Sequence, residues 1–196
     1  ALGFCNGGRN GGLVTPHGGA QRRLGTNPFA SAFPLPDQGP MVADFATSGI
    51  AEGKVRVARN KGAEVPPGYL FDSDGLPTTT PADLYADGML LPVGLHKGYG
   101  LSLIIGLLAG TLNGAAFGRE VIDFVKEPGS TTNTGHAIVA VSVEAFAPAA
   151  AFKRQIDVAI RTMRAAERLP GVERVWLPGE QSHRKAQDRT ANGIPM

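Results

Sequence analysis

Met41-Val42-Ala43-Asp44-Phe45-Ala46-Thr47-Ser48-Gly49-Ile50 passes from an apolar run into a hydroxyl pair and then into a stretch of helical character. The run predicts a strand over Met41–Phe45. Thr47 or Ser48 is placed to cap a helix running to Asn60, with Gly62 as its stop. A strand feeding a helix is the unit of α/β architecture. In such folds ligands gather at strand carboxyl ends, where helix N–H groups point outward. Asp44 stands at that junction. Its carboxylate can accept hydrogen bonds from ribose hydroxyls, or Asp44 or Ser48 can simply be an N-cap. Spacing leaves both readings open.

Upstream, residues 6–25 read as loop, with glycines at 7, 8, 11, 12, 18, 19 and 25. Gly7-Gly8-Arg9-Asn10-Gly11-Gly12 lacks both the G-x-x-x-x-G-K-[ST] and the G-x-G-x-x-G phosphate fingerprints and reads as a surface loop. Asn27–Pro34 reads as a second strand, with Pro34, Pro36, Gly39 and Pro40 forming the turn into Met41. Gly25-Thr26-Asn27-Pro28 joins loop to strand. Thr26 sits at the strand edge with a free hydroxyl, while Asn27 and Pro28 read as ordinary turn residues.

Downstream, Val65–Pro81 is a Pro-, Gly-, Asp- and Thr-rich loop, long enough to suggest function. Lys97–Leu112 is apolar on all sides and predicts a buried helix. Lys97 at its start opposes the helix dipole, a conflict that an anionic ligand removes; otherwise the side chain reaches out to water. Ala137–Val143 alternates as a strand. Pro148–Arg168 is an amphipathic helix, with Phe152, Ile156, Ala159, Ile160 and Met163 on its apolar face. Val172–Leu177 reads as a last strand, Pro178-Gly179-Glu180 as a turn, and the segment from Ser182 as a polar tail.

Composition excludes several classes. The 196 residues carry a net charge of +2, too little for a nucleic-acid footprint. Hydrophobic content of 42% with 18% charged residues argues against disorder. The longest apolar stretch falls short of the ~20 residues that span a bilayer, and no targeting segment is visible. The single cysteine, Cys5, excludes an internal disulfide and fits a small buried hydrophobe in a reducing, cytoplasmic setting. The histidines, His17, His96, His136 and His183, are scattered without metal-ligand spacing, so no metal site is expected. His17, in a Pro-His-Gly-Gly turn, is a mild functional candidate. The opening Ala1-Leu2-Gly3-Phe4-Cys5 reads as starting within a strand, as in a fragment or processed chain.

Taken in order, GTNPFASAFP, MVADFATSGIAEGKV, VPPGYLFDSDGLPTTTP, LLPVGLHKGYGLSL, WLPGE and the closing NGIP resemble the malate/L-lactate dehydrogenase family. That resemblance covers nearly the whole chain. It implies an α/β, non-Rossmann NAD(P)-binding fold, a mixed sheet with packed helices. The expected division is a cofactor-binding domain over 1–145 and a carboxy-terminal helix, strand and tail over 146–196.

The resemblance also implies NAD- or NADP-dependent hydride transfer to or from a 2-hydroxy/2-oxo acid or a cyclic imino acid, in a homodimer. Thr26 matches a substrate-contacting Thr. Asp44, Phe45 and Ala46 match a nucleotide-contacting segment, Lys97 a Lys at the cofactor, and Pro178, Gly179 and Glu180 a turn that approaches the cofactor. Arg22, Arg23 and Arg184 are candidates for favouring a 2′-phosphate. Family members carry a further amino-terminal segment with a Ser-His pair, a substrate-binding Arg and an acid/base residue. This sequence has none of these, so no catalytic residue is assigned in it and the chain alone is expected to be inactive. The other reading is a silent binding or assembly module of the same fold.

Overall fold

The computed structural model describes residues 1–7, 12–35, 39–123 and 127–195. In chain order, β1 is Leu2–Cys5, β2 Phe29–Phe33, β3 Met41–Phe45, α1 Glu52–Asn60, β4 Leu70–Phe71, β5 Pro77–Thr78 and α2 Pro81–Tyr85. There follow β6 Met89–Leu90, α3 His96–Ala109, β7 His136–Val139, α4 Ala149–Arg164 and α5 Glu180–Asn192. One sheet has strand order β3-β2-β1-β7 and a smaller one β5-β4-β6. The mixed α/β expectation is met. Among the described residues no helix is long and apolar enough to cross a membrane. The Gly8–Gly11 part of the glycine loop and Pro36 of the expected turn lie outside the described residues.

The chain forms two compact units, one of residues 1–2, 30–44 and 139–196, the other of 3–29 and 45–138. The larger unit closes around Leu13, Val14, Leu24, Val55, Val65, Leu70, Leu84 and Leu90, with Ile50, Ala58, Tyr85, Tyr99 and Phe117 packed against them. Val14 draws its parts together, bridging both Leu24 and Leu90. Burying such aliphatic side chains contributes about 1.5–3 kcal/mol each.

Asn6 ties the start of this unit to its end. It is 2% exposed. Its N–H donates to Gly135 O at 3.2 Å, its Oδ1 accepts from Gly135 N–H at 2.5 Å, and its Nδ2 donates to Ala116 O. One side chain thereby satisfies backbone groups that an open strand end leaves unpaired.

The expected loop over Val65–Pro81 is instead a hairpin. Asp72 Oδ1 accepts the N–H groups of Asp74 and Leu76 at 3.0 and 2.8 Å, and Gly75 takes φ +82°, so the turn closes on a side chain. That aligns Leu70 with Thr78, and Leu70 with Leu90 on its other side.

The helix after Met41–Phe45 starts later than expected. Ala51 is its N-cap without a side-chain bond, because Thr47 and Ser48 spend their hydroxyls elsewhere. The second strand begins at Phe29 rather than Asn27, whose φ of +31° is incompatible with a strand. α3 runs His96–Ala109 instead of Lys97–Leu112, and it is not buried all round: Ile104 and Leu107 are 56% and 45% exposed. It stops where Gly110 is pressed between carbonyls, a Cβ there lying 2.5 Å from Gly106 O and 2.6 Å from Ala116 O.

In the smaller unit Leu35, Ile160 and Leu177 form the core, with Met41 and Ile156 beside them. α4 is shorter than the predicted Pro148–Arg168, and Met163 of its expected apolar face is 55% exposed. The Ala137–Val143 strand gives way to a 3-10 turn at Val143–Ala145. Val172–Leu177 forms no strand. Side chains take its backbone groups: Arg168 donates to Glu173 O at 2.6 Å, and Leu177 N–H donates to Glu180 Oε2 at 3.2 Å. The polar tail from Ser182 is not a tail but part of α5, whose Glu180–Arg184 and Asp188–Asn192 spacings suit a solvated helix.

Arg22 belongs to the larger unit as a structural group. Its Nε donates to Gly88 O at 2.7 Å and its Nη2 to Leu84 O, stapling the end of α2. Burial lowers its pKa, an effect that the charge of Asp87 opposes. Arg22→Ala removes two charge-assisted bonds to carbonyls. The expected loss is about 1–3 kcal/mol of stability, read as a lower denaturation midpoint at unchanged slope.

Candidate functional site

Thr47 organises the larger unit's share of the expected site. It is fully buried. Its N–H donates to Thr26 O at 2.9 Å, and its hydroxyl lies 3.0 Å from both Thr26 O and Asn27 O, a shared three-centre bond. Its own carbonyl accepts Val93 N–H at 2.9 Å. The G-T-N-P segment, the F-A-T-S segment and the approach to α3 are therefore clasped on one residue, although they are distant in sequence.

Asn27 extends the clasp to α3. Its Nδ2 donates to Ser102 O at 2.9 Å and is 3.2 Å from Ser102 Oγ, with both residues buried. Sequence reading passed over Asn27 as a turn former and took Thr47 for a cap. A side chain with both donor and acceptor, adjoining an apolar strand, was the available signal.

The approach to α3 is tightly wound. Gly94 and Leu95 have φ of +58° and +56°, and Leu95 is a non-glycine residue in a costly region. Gly98 sits directly on the Val93 backbone, where a Cβ would be 1.9 Å from Val93 O. This geometry leaves Lys97 exposed in the first turn of α3, with no ion pair among the described residues. His17 and His96 are also exposed, and their rings stand 5.8 Å apart. Thr26 is half-buried; Phe45 is exposed and packs edge-on against Phe29 at 5.7 Å; Ala46 is half-buried.

The remaining expected residues lie in the smaller unit. Asp44 is exposed near the end of β3. Two residues earlier, Val42 N–H donates to Pro178 O at 3.3 Å. Gly179 has φ +81°, and a Cβ there would lie 2.8 Å from Val42 O, so only glycine fits the turn against β3. Glu180 turns its carboxylate onto its own chain. Oε2 takes Leu177 N–H, and Oε1 takes Arg174, with Arg164 at 3.4 Å and Arg184 at 3.9 Å. With this carboxylate committed, the turn presents backbone to a ligand.

Of the three arginines proposed for a 2′-phosphate, Arg22 is consumed by the end of α2, and Arg23 bonds Gln21 and its neighbour's carbonyl. Arg184 remains beside the Pro178–Glu180 turn. Burial raises the Cys5 thiol pKa, which fits an unreactive side chain. Among the described residues no three His, Cys, Asp or Glu groups gather as metal ligands.

A family profile described as malate/L-lactate dehydrogenase matches residues 1–196. The malate dehydrogenase of Pyrococcus horikoshii is 37% identical over 191 residues, covering 94% of this chain and 52% of that protein. The Delta(1)-pyrroline-2-carboxylate/Delta(1)-piperideine-2-carboxylate reductase of Pseudomonas putida is 36% identical over 184 residues, covering 93% and 52%. Sulfolactate dehydrogenase from Methanocaldococcus jannaschii superposes with a TM-score of 0.87 at 33% identity, over all of this chain and 54% of its own. The chain spans about half the length of the curated relatives it matches.

Thr47→Val keeps the shape and removes the hydroxyl. The expected cost is about 1–3 kcal/mol, since Asn27 O loses the hydroxyl and Thr26 O keeps only the Thr47 N–H. Thr47→Ser is expected to recover most of it in the same denaturant titration.

Proposed function

The chain belongs to the malate/L-lactate dehydrogenase family, and from that membership we infer that it serves an oxidoreductase moving hydride between NAD(H) or NADP(H) and a small 2-hydroxy/2-oxo acid. The cofactor contacts we assign are Lys97, Phe45 and Ala46 in the larger unit, and Asp44, Pro178, Gly179 and Glu180 in the smaller. Thr26 is assigned to the substrate.

The observation that carries this reading is the clasp on Thr47. It spends buried hydrogen bonds to hold together three segments whose only exposed charge is Lys97. These residues fit a phosphate-bearing group. Lys97 is cationic, exposed and free of ion pairs among the described residues, and it sits where the α3 dipole already favours an anion. A dinucleotide held by these residues would supply the hydride-transfer chemistry through its nicotinamide ring. The chain's own part is to orient and to neutralise. Lys97 offsets phosphate charge, the Thr26 hydroxyl donates to a substrate oxygen, and the Gly179 turn offers backbone without side-chain bulk. Holding the reacting carbons about 3–3.5 Å apart is the positional requirement. No proton-transfer residue is assigned in this chain.

Lys97→Ala is expected to weaken NADH or NADPH binding about tenfold, as for loss of a charge-assisted hydrogen bond, with Lys97→Arg keeping most of the affinity. Fluorescence titration of the reduced nicotinamide reads both. Unchanged affinity in Lys97→Ala would remove Lys97 from the site. Binding without turnover in the full-length protein would favour the silent-module reading instead.

A further inference from the structure

The smaller unit contains a guanidinium cluster beside the assigned Pro178–Glu180 turn. Arg174 and Arg184 both lie over the Trp176 ring, at 4.8 and 5.0 Å from its centroid. Both guanidiniums, with that of Arg164, converge on the single carboxylate of Glu180. One carboxylate against three guanidiniums leaves this cluster at +2.

We propose that Arg174, Trp176 and Arg184 form a clamp for a phosphate group of the dinucleotide. Stacking on an indole fixes the plane of a guanidinium and leaves its N–H edge directed outward, the fork geometry that matches phosphate oxygens in pairs. The ring face occupied by guanidiniums is withdrawn from stacking on a base, so an anion is the ligand class that suits the clamp. Glu180 acts as a positioning residue. Its Oε2 fixes the turn through Leu177 N–H, and its Oε1 gathers the arginines at the base of that turn. The same residue therefore sets both the Pro178–Gly179 backbone and the charge beside it. Arg184 is more than half exposed and Arg174 about a third exposed, so water and ligand reach both.

The proposal rests on the cofactor reading above, and two sources share the ligand chemistry: the 2′-phosphate of NADP and the pyrophosphate common to both dinucleotides. Trp176 is the chain's only tryptophan, so its fluorescence reports on the clamp alone. The experiment titrates the chain, Arg184→Ala, Arg174→Ala and Arg184→Lys with NADPH, NADH and inorganic phosphate. It follows tryptophan emission and its transfer to the reduced nicotinamide. Half-exposed ion pairs contribute little to folding, so Arg184→Ala is expected to stay folded, with circular dichroism as the check.

A tenfold or greater loss of NADPH affinity in Arg184→Ala, with NADH changed less than twofold, assigns the clamp to the 2′-phosphate; equal losses assign it to the pyrophosphate. Arg184→Lys is expected to recover only part of the loss, because the ammonium lacks the fork. If both dinucleotides bind the unaltered chain and neither arginine variant changes their affinity, the clamp proposal is overturned while the cofactor reading stands. If neither dinucleotide binds but phosphate shifts Trp176 emission saturably and Arg184→Ala abolishes the shift, the clamp stands and the cofactor reading falls. Silence toward all three ligands overturns both.

Discussion

A buried hydroxyl at position 47 holds the larger unit in register. Thr47 has no access to water, so every polar group it carries must find a partner in the protein. It finds them on Thr26 and Asn27 in one stretch and on Val93 in another, both distant from position 47 in sequence. The constraint works in both directions. Those carbonyls and that N–H are themselves satisfied by Thr47, so displacing any one stretch strands groups on the others. The positive φ of Asn27, the winding at Gly94–Leu95 and the contact of Gly98 on Val93 surround this residue, and each is a local cost that the shared hydrogen bonds offset.

The smaller unit uses charge for a comparable purpose. Glu180 gathers backbone and guanidiniums at the start of α5, where Thr47 gathers backbone alone. Burial explains the difference. A hydroxyl can be enclosed once its few bonds are made, whereas a carboxylate among arginines stays near water because its desolvation is costly. The two organising residues thus sit at different depths, and their surroundings differ in polarity accordingly.

Strand Met41–Phe45, the apolar helix ahead of Gly110 and the amphipathic helix around Ile156 and Ile160 were legible in the sequence, because each is encoded by local periodicity. The Asp72 hairpin was not, since its turn closes on a side chain and its strands have two residues each. Helix α5 was missed because its polar face and its lack of an apolar stripe look like a tail. Val172–Leu177 was read as a strand from its composition, yet side chains from Arg168 and Glu180 occupy its backbone groups. For the site, the motifs proposed Thr26, Asp44 and Lys97 but did not point to Thr47 and Asn27, which hold the G-T-N-P segment and the approach to α3. Thr47 and Asn27 act across long sequence separations, which periodicity does not record. The commitment of Glu180 to three arginines likewise depends on where α4 and α5 bring those side chains.

Asn6 and Gly135 exchange hydrogen bonds across a separation of 129 residues. During synthesis the early partner leaves the ribosome long before the late one exists, and chain growth of ~5–20 residues per second sets the interval at several seconds or more. Through that interval the amide of Asn6 stays hydrated, and Gly3–Cys5 has no β7 to pair with. The core around Val14, Leu70 and Leu90 draws on residues available earlier, so the nascent unit can collapse before its first strand is locked. The seam between β1 and β7 is therefore a late step in maturation, and exposed strand edges at that stage are where a chaperone would find its purchase.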